Sequence, residues 1–181
     1  MRLVEKRPLM KGVVLIILLF GAMSSGSQDL PPVSLKGDSL FIDDSKLVND
    51  PFGFGKKPLT YLKSKLKSKK SIEVSPIPNQ YVEHQVDTSY KLKFAKDSFQ
   101  VYQTGKGVQF LISARVVTKK FKTRHGFQVG MSKPKILAIL KAYPIEQIPG
   151  SLFLGNLDYS FVKLAFKGDT LDEIVYFGYL D

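Results

Sequence analysis

The sequence predicts an α+β fold of two tandem helix-plus-antiparallel-sheet units, with the helices packed on one face of a sheet. A helix signal followed by strand-like alternation occurs in residues 35–118 and again in residues 126–181. The two stretches also resemble each other, because FGFGKKPLTYLKSKL from Phe52 aligns with FQVGMSKPKILAIL from Phe127. Each half is marginal in size, so the two units are expected to pack against each other.

The start of the chain has the order of a secretory signal peptide. Four basic residues precede an apolar run over residues 12–23, and small residues follow it. We therefore predict a signal peptide over residues 1–25 and a flexible leader over residues 26–34. The apolar run is short for a membrane-spanning helix, and an uncleaved anchor is the alternative interpretation.

The composition limits the cellular compartments and the kinds of binding site that the chain is expected to have. The chain has no Cys among its 181 residues. This excludes a lipid-modified cysteine, a disulfide framework and a thiolate metal site, and it favours a bacterial envelope or secreted protein, periplasmic or extracellular. The formal net charge is +11. Residues 1–25 hold four basic residues and one acidic residue, so the remainder carries +8.

The first unit, residues 35–118, begins with a lysine-rich helix. Seven lysines and no acidic residue lie in residues 56–70. This run could dock on anionic lipid or polysaccharide through Lys63, Lys67 and Lys70. The alternative is a solvated helix face whose long side chains cover an apolar stripe. Nucleic acid is not expected as a partner, because stacking aromatics are scarce beside these lysines.

Three strand signals follow in the first unit, over residues 90–94, 99–103 and 108–117, with credible hairpin turns between them. In the longest strand, alternation predicts one shared face. The residues of that face are Val108, Phe110, Ile112, Ala114 and Val116. The basic residues 119–125 are predicted to link the two units.

The second unit, residues 126–181, has the clearest element signals. Ser132 precedes a Pro in the first turn of an apolar-periodic stretch, which is typical of a capped helix start, and Pro144 ends the stretch. Alternation from Tyr159 to Phe166, a Gly-Asp turn and a return strand predict a hairpin. Aromatics point to both sides of this hairpin, so the side away from the helix needs a cover or a partner.

The helix start of this unit resembles a known motif. Its residues are Gly130, Met131, Ser132, Ile136, Ile139, Leu140 and Pro144. The pattern is similar to the opening of β-lactamase-inhibitor-protein-like domains and of the small lipoprotein domains of the outer-membrane barrel-assembly machinery. The resemblance implies a helical pair on an antiparallel sheet, occurring in tandem in the inhibitor proteins, and a binding role.

Catalytic signals are weak in this sequence. His84 has Glu83 and Asp87 as neighbours, yet no nucleophile motif accompanies either it or His125. We therefore expect no enzyme activity, no catalytic residues, no metal site and no cofactor. A small hydrolase that uses His84 is the third-ranked hypothesis.

The leading functional hypothesis is an exported, non-enzymatic protein that binds a protein partner, inhibitor-like or as an envelope assembly accessory. The expected contact face is aromatic. Its residues are Tyr102, Phe161, Val175, Phe177 and Tyr179. Burial of these residues in a core between the two units is the competing interpretation. The alternative function is a peripheral envelope protein that binds an anionic surface through the lysine-rich helix.

Overall fold

The computed structural model describes residues 32–66 and 71–178. Nine strands lie in this part of the chain: β1 Val33–Lys36, β2 Ser39–Ile42, β3 Ile72–Pro78, β4 Val86–Phe94, β5 Asp97–Gln103, β6 Gln109–Val116, β7 Ser151–Asn156, β8 Ser160–Lys167 and β9 Thr170–Gly178. Two short helices accompany them, α1 Pro58–Lys65 and α2 Lys133–Ile139. The predicted signal peptide and the predicted site residues Lys67, Lys70 and Tyr179 lie outside the described residues.

All nine strands belong to one mixed sheet, in the order β1-β2-β7-β8-β9-β6-β5-β4-β3. The prediction of two tandem helix-plus-sheet units is therefore wrong. The meander β3 to β6 and the meander β7 to β9 join edge to edge, because β6 pairs antiparallel with β9 and sets Ala114 opposite Tyr176. The backbone groups that two separate sheets would leave unpaired at these edges satisfy each other in a continuous ladder.

The N-terminal hairpin extends the sheet on its other side. Strands β1 and β2 pair with each other, and β2 then pairs in parallel with β7. The hydroxyl oxygens of Ser39 and Ser151 lie 2.8 Å apart at this junction. A parallel pair needs a long crossover, and here the crossover contains the whole first meander. Val33 and Ser34, predicted to belong to the flexible leader, are part of β1.

The hydrophobic core lies on one face of the sheet. Its inward residues come from seven strands, for example Leu92 of β4, Leu152 of β7 and Leu164 of β8, all 0% exposed. The two helices and the loops cover this face. The covering residues include Leu47, Phe52, Leu59, Leu62, Phe121, Phe127, Ile136, Leu140 and Ile148. Residues 119–125, expected to be a linker, contribute to this layer.

A β-bulge in β6 changes which of its side chains face the core. Gln100 pairs with Ser113 and Val101 pairs with Leu111, so Ile112 is an extra residue on β6. As a result Leu111 packs against the core, while Phe110 lies on the opposite face and is 44% exposed. The prediction that Phe110 shares a face with Ala114 and Val116 is therefore wrong, because the bulge shifts the alternation by one residue.

Candidate functional site: an aromatic sheet face

Four phenylalanine rings lie in a row on the sheet face that the helices do not cover. We call this set the aromatic row: Phe41 of β2, Phe153 of β7, Phe161 of β8 and Phe177 of β9. Ring centroids of successive members are 4.8, 5.9 and 5.8 Å apart. These are the separations of interacting aromatic pairs, so the rings form one continuous apolar surface across four neighbouring strands.

The local sequence explains why these rings point away from the core. Phe41 lies between Leu40 and Ile42, both of which are buried. Phe153 stands between two buried leucines in the same way. Because successive side chains of a strand point to opposite faces, burial of both neighbours forces the phenylalanine onto the other face.

Register then brings the four rings together. Phe41 is directly opposite Phe153 in the parallel pair, and Phe161 is directly opposite Phe177 in the antiparallel pair. Phe177 is 47% exposed, whereas the other three are half-buried by one another and by their neighbours. The sheet therefore holds a contiguous, partly exposed apolar surface, a feature that marks interaction sites on protein surfaces.

Positive charges border the aromatic row. The ammonium nitrogen of Lys36 lies 5.6 Å from the centre of the Phe41 ring, and that of Lys163 lies 5.4 Å from the centre of the Phe153 ring. Neither lysine takes part in an ion pair with another described residue. The row thus carries two cations without carboxylate partners in the described part of the chain.

Three of the predicted contact residues, Phe161, Val175 and Phe177, are on this face. The structure adds Phe41 and Phe153, which the sequence analysis did not single out. The signal that could have found them is the triplet of a phenylalanine between two aliphatic residues, repeated in LFI and LFL.

Tyr102 lies on the same face but not in the row. Its partner across the sheet is Phe110, and its hydroxyl donates a hydrogen bond to the carboxylate of Asp87. This hydrogen bond raises the pKa of Tyr102 to about 12. The Tyr102 hydroxyl therefore serves the structure around Asp87 and is set apart from the four phenylalanines.

Asp87 is fully buried, and its carboxylate accepts four hydrogen bonds. Besides the Tyr102 hydroxyl, the donors are the side chains of Asn79 at 2.6 Å and Gln85 at 2.8 Å, and the backbone N–H of Gly105 at 2.7 Å. The Tyr102 hydrogen bond is the largest cause that lowers the pKa of Asp87 to about 2, with the Gly105 amide next among the donors. This Asp87 clamp ties the β3–β4 loop to the β5–β6 turn.

No protein-family model, curated protein or solved structure matches this chain. Function therefore has to be inferred from the chemistry of the described residues themselves.

The histidines lie away from the aromatic row. His84 is in the exposed β3–β4 loop, where its Nε2 lies 3.3 Å from a carboxylate oxygen of Glu83. His125 Nε2 is 3.1 Å from the backbone oxygen of Lys46. Within residues 32–66 and 71–178 no three His, Cys, Asp or Glu residues are grouped so as to hold a metal ion.

Helix α1 contains Lys63, the one described residue of the three lysines predicted to bind an anionic surface. The ammonium nitrogen of Lys63 lies 4.6 Å from the centre of the Tyr90 ring, so this side chain is laid along the core-side surface of β4. The helix ends at Lys65. Among the described segments, no helix combines the length and apolar character that crossing a bilayer requires.

Proposed function

We propose that this chain is a non-enzymatic binding protein that captures a protein partner through the aromatic row. One observation carries the proposal: four contacting phenylalanine rings occupy the uncovered face of the sheet, and Phe177, at one end of the row, is 47% exposed. Aromatic side chains are enriched at the centres of protein interfaces, where burying them excludes water and supplies much of the affinity.

The rigidity of the sheet supports this role. Each phenylalanine lies on a paired strand next to at least one buried residue, so little conformational entropy is lost when a partner packs against it. Association through a pre-formed surface is favoured over association through a loop that must first become ordered.

Charge defines the chemistry of the partner. Lys36 and Lys163 lie beside the first two rings and have no carboxylate partner among the described residues. The complementary surface is apolar at its centre and carries carboxylates at its rim. In keeping with the sequence-based expectation of export, the partner is sought in the envelope or the surrounding medium, as the target of an inhibitor or a component of an assembly.

The test is a substitution at the exposed end of the row. Phe177→Ser removes an exposed ring and should weaken binding of a captured partner by about 30-fold or more, the effect of truncating an interface anchor. The free energy of unfolding should change by about 1 kcal/mol or less, because the residue is not in the core. Partners are cross-linked from envelope and medium fractions, and the affinity of the purified partner is then measured.

Tyr81→Ser is the matched control, because Tyr81 is an aromatic residue 85% exposed on the β3–β4 loop. A partner that binds wild-type protein and Tyr81→Ser equally, and Phe177→Ser poorly, supports the proposal. Equal capture by all three proteins, or concentration-dependent self-association abolished by Phe177→Ser, would exclude a separate partner on this face.

A further inference from the structure

The segment from Lys119 to Arg124 forms an exposed basic surface on the helix side of the sheet. We call it the basic strip: Lys119, Lys120, Lys122 and Arg124. Phe121 and Thr123 alternate with the last three of these cations and are 6% and 4% exposed. The buried pair anchors the segment, and the alternating residues Lys120, Lys122 and Arg124 are exposed.

Backbone and side-chain contacts hold the strip in one conformation. Lys122 forms a β-bridge with Gln128, and the backbone N–H of Thr123 donates to the oxygen of Phe127 at 2.9 Å. The Gln128 amide donates to the backbone oxygen of Lys119 at 2.7 Å. The strip is therefore one arm of a small hairpin that is secured to the core by Phe127, which is 1% exposed.

The aliphatic parts of Lys119 and Lys122 lie close to two glycines. A Cβ placed on Gly130 would come within 2.7 Å of Cε of Lys119, and one on Gly126 within 3.5 Å of Cε of Lys122. The stems thus lie against bare backbone. The ammonium of Lys120 is placed by a different contact, 4.6 Å from the centre of the Phe94 ring.

Within residues 32–66 and 71–178, no ion pair neutralises the charge of the strip. Four ion pairs occur among the described residues, and none of them includes a member of the strip. Asp97, the last carboxylate before the strip in the sequence, is buried and accepts hydrogen bonds from the backbone of Val117 and from Thr118. The four exposed cations of the strip thus have no carboxylate partner in the described part of the chain.

We propose that the basic strip docks this protein on the anionic headgroups of a lipid surface. A cluster of four Lys and Arg residues matches the charge that such surfaces attract. The exposed cations belong to one arm that is held by backbone pairing, so their charges act together on a layer of phosphates. Nucleic acid fits less well, because the aromatic rings beside the strip, Phe94 and Phe121, are buried in the core and cannot stack on bases.

This docking surface is distinct from the aromatic row. Phe121 packs against Phe94 and Phe99 on the core side of the sheet, whereas the row is on the opposite side. Membrane attachment through the strip therefore leaves the aromatic face free, and the proposal stands whether or not a protein partner binds there.

The test uses vesicles of phosphatidylcholine with and without phosphatidylglycerol, at low and high salt. The triple variant Lys120→Glu, Lys122→Glu and Arg124→Glu should lower the partition coefficient onto the phosphatidylglycerol vesicles by about 100-fold or more. High salt should weaken binding of the wild-type protein. The control triple variant reverses the same charge at exposed positions elsewhere. Its residues are Lys106, Lys141 and Lys167.

Preferential loss in the strip variant, with Phe177→Ser binding vesicles like the wild type, supports the proposal. Equal losses in the two triple variants, or wild-type binding that does not depend on phosphatidylglycerol, would overturn it. Tighter binding of an RNA oligonucleotide than of the vesicles would also overturn it. Glutamine at the same three positions provides a milder variant if the glutamate form does not fold.

Discussion

At the scale of single residues, the Asp87 clamp holds a buried carboxylate whose pKa is lowered by the hydrogen bonds that it accepts. Its carboxylate has a pKa of about 2 against an ordinary value of 3.8. Because the folded pKa is depressed, the ionised carboxylate stabilises the fold fully above pH 3.8, and this stabilisation is lost as the pH falls through about 2. The clamp should make the loops around Tyr102 sensitive to strong acid.

Tyr102→Phe tests this clamp by removing its most effective donor. The pKa of Asp87 should rise toward its ordinary value, and acid unfolding should therefore begin at a higher pH. Carboxyl carbon NMR titration of Asp87 and circular dichroism along an acid series measure the two effects. Tyr81→Phe is the control, since Tyr81 contributes no hydroxyl to the clamp. An unchanged titration of Asp87 in Tyr102→Phe would refute the assignment.

Gly155 lies at a position where the backbone conformation and the close packing both favour glycine. It has φ of +93°, and a Cβ there would come within 2.5 Å of Val48 Cγ1 and 2.7 Å of the backbone oxygen of Ser160. Gly168 also has positive φ, +59°, but a Cβ on it would meet nothing within 4 Å. Strain alone applies at Gly168, whereas strain and overpacking both apply at Gly155.

Alanine at each glycine separates these two contributions. Gly168→Ala should lower the free energy of unfolding by about 1–2 kcal/mol. Gly155→Ala should cost about 1–3 kcal/mol more, because neither the Ser160 backbone nor the buried Val48 can move freely. Urea unfolding gives both values. Equal costs would show that the Val48 contact relaxes without penalty.

At the scale of elements, local alternation was a sound guide wherever a strand is regular. The hairpin of β8 and β9 was predicted because Val162 and Leu164 alternate with Phe161 and Lys163, and the structure buries the first pair. Alternation gave the wrong face for part of β6, because no residue type in the sequence indicates the bulge at Ile112. The sequence analysis also gave no strand signal for β3, which contains Pro76 and Pro78, or for β7, which contains Gly155.

The prolines of β3 are explained by its place in the sheet. Pro76 and Pro78 pair with β4 on one side, and β3 is the last strand of the sheet on its other side. A proline lacks the N–H that a central strand must donate, so it is tolerated at an edge. Edge position depends on the topology of the whole chain and could not be inferred from the segment alone.

At the scale of the whole molecule, the strand pairings between distant segments could not be predicted from the sequence. Half of the aromatic row, Phe161 and Phe177, was predicted because both lie in one local hairpin. Phe41 and Phe153 were missed because their strands are brought together in parallel across 112 positions. The pairing of β6 with β9, which merges the two halves, likewise has no local signature.

One continuous sheet with one core predicts a single cooperative unfolding transition. Leu92→Ala in the first meander and Leu164→Ala in the second should each lower the same Tm, because both residues are 0% exposed in a shared core. Differential scanning calorimetry should give a van't Hoff enthalpy equal to the calorimetric enthalpy. Two resolved transitions, each sensitive to one substitution, would show that the halves unfold independently.

The parallel junction of β2 with β7 also sets an order of events during synthesis. The ribosome completes β2 at Ile42, and β7 begins only at Ser151. A two-stranded hairpin is marginally stable by itself, so β1 and β2 must wait for most of the chain before they can dock. Completion of the sheet at this end therefore follows the synthesis of β7, and the nascent chain emerges with β2 still unpartnered on one side.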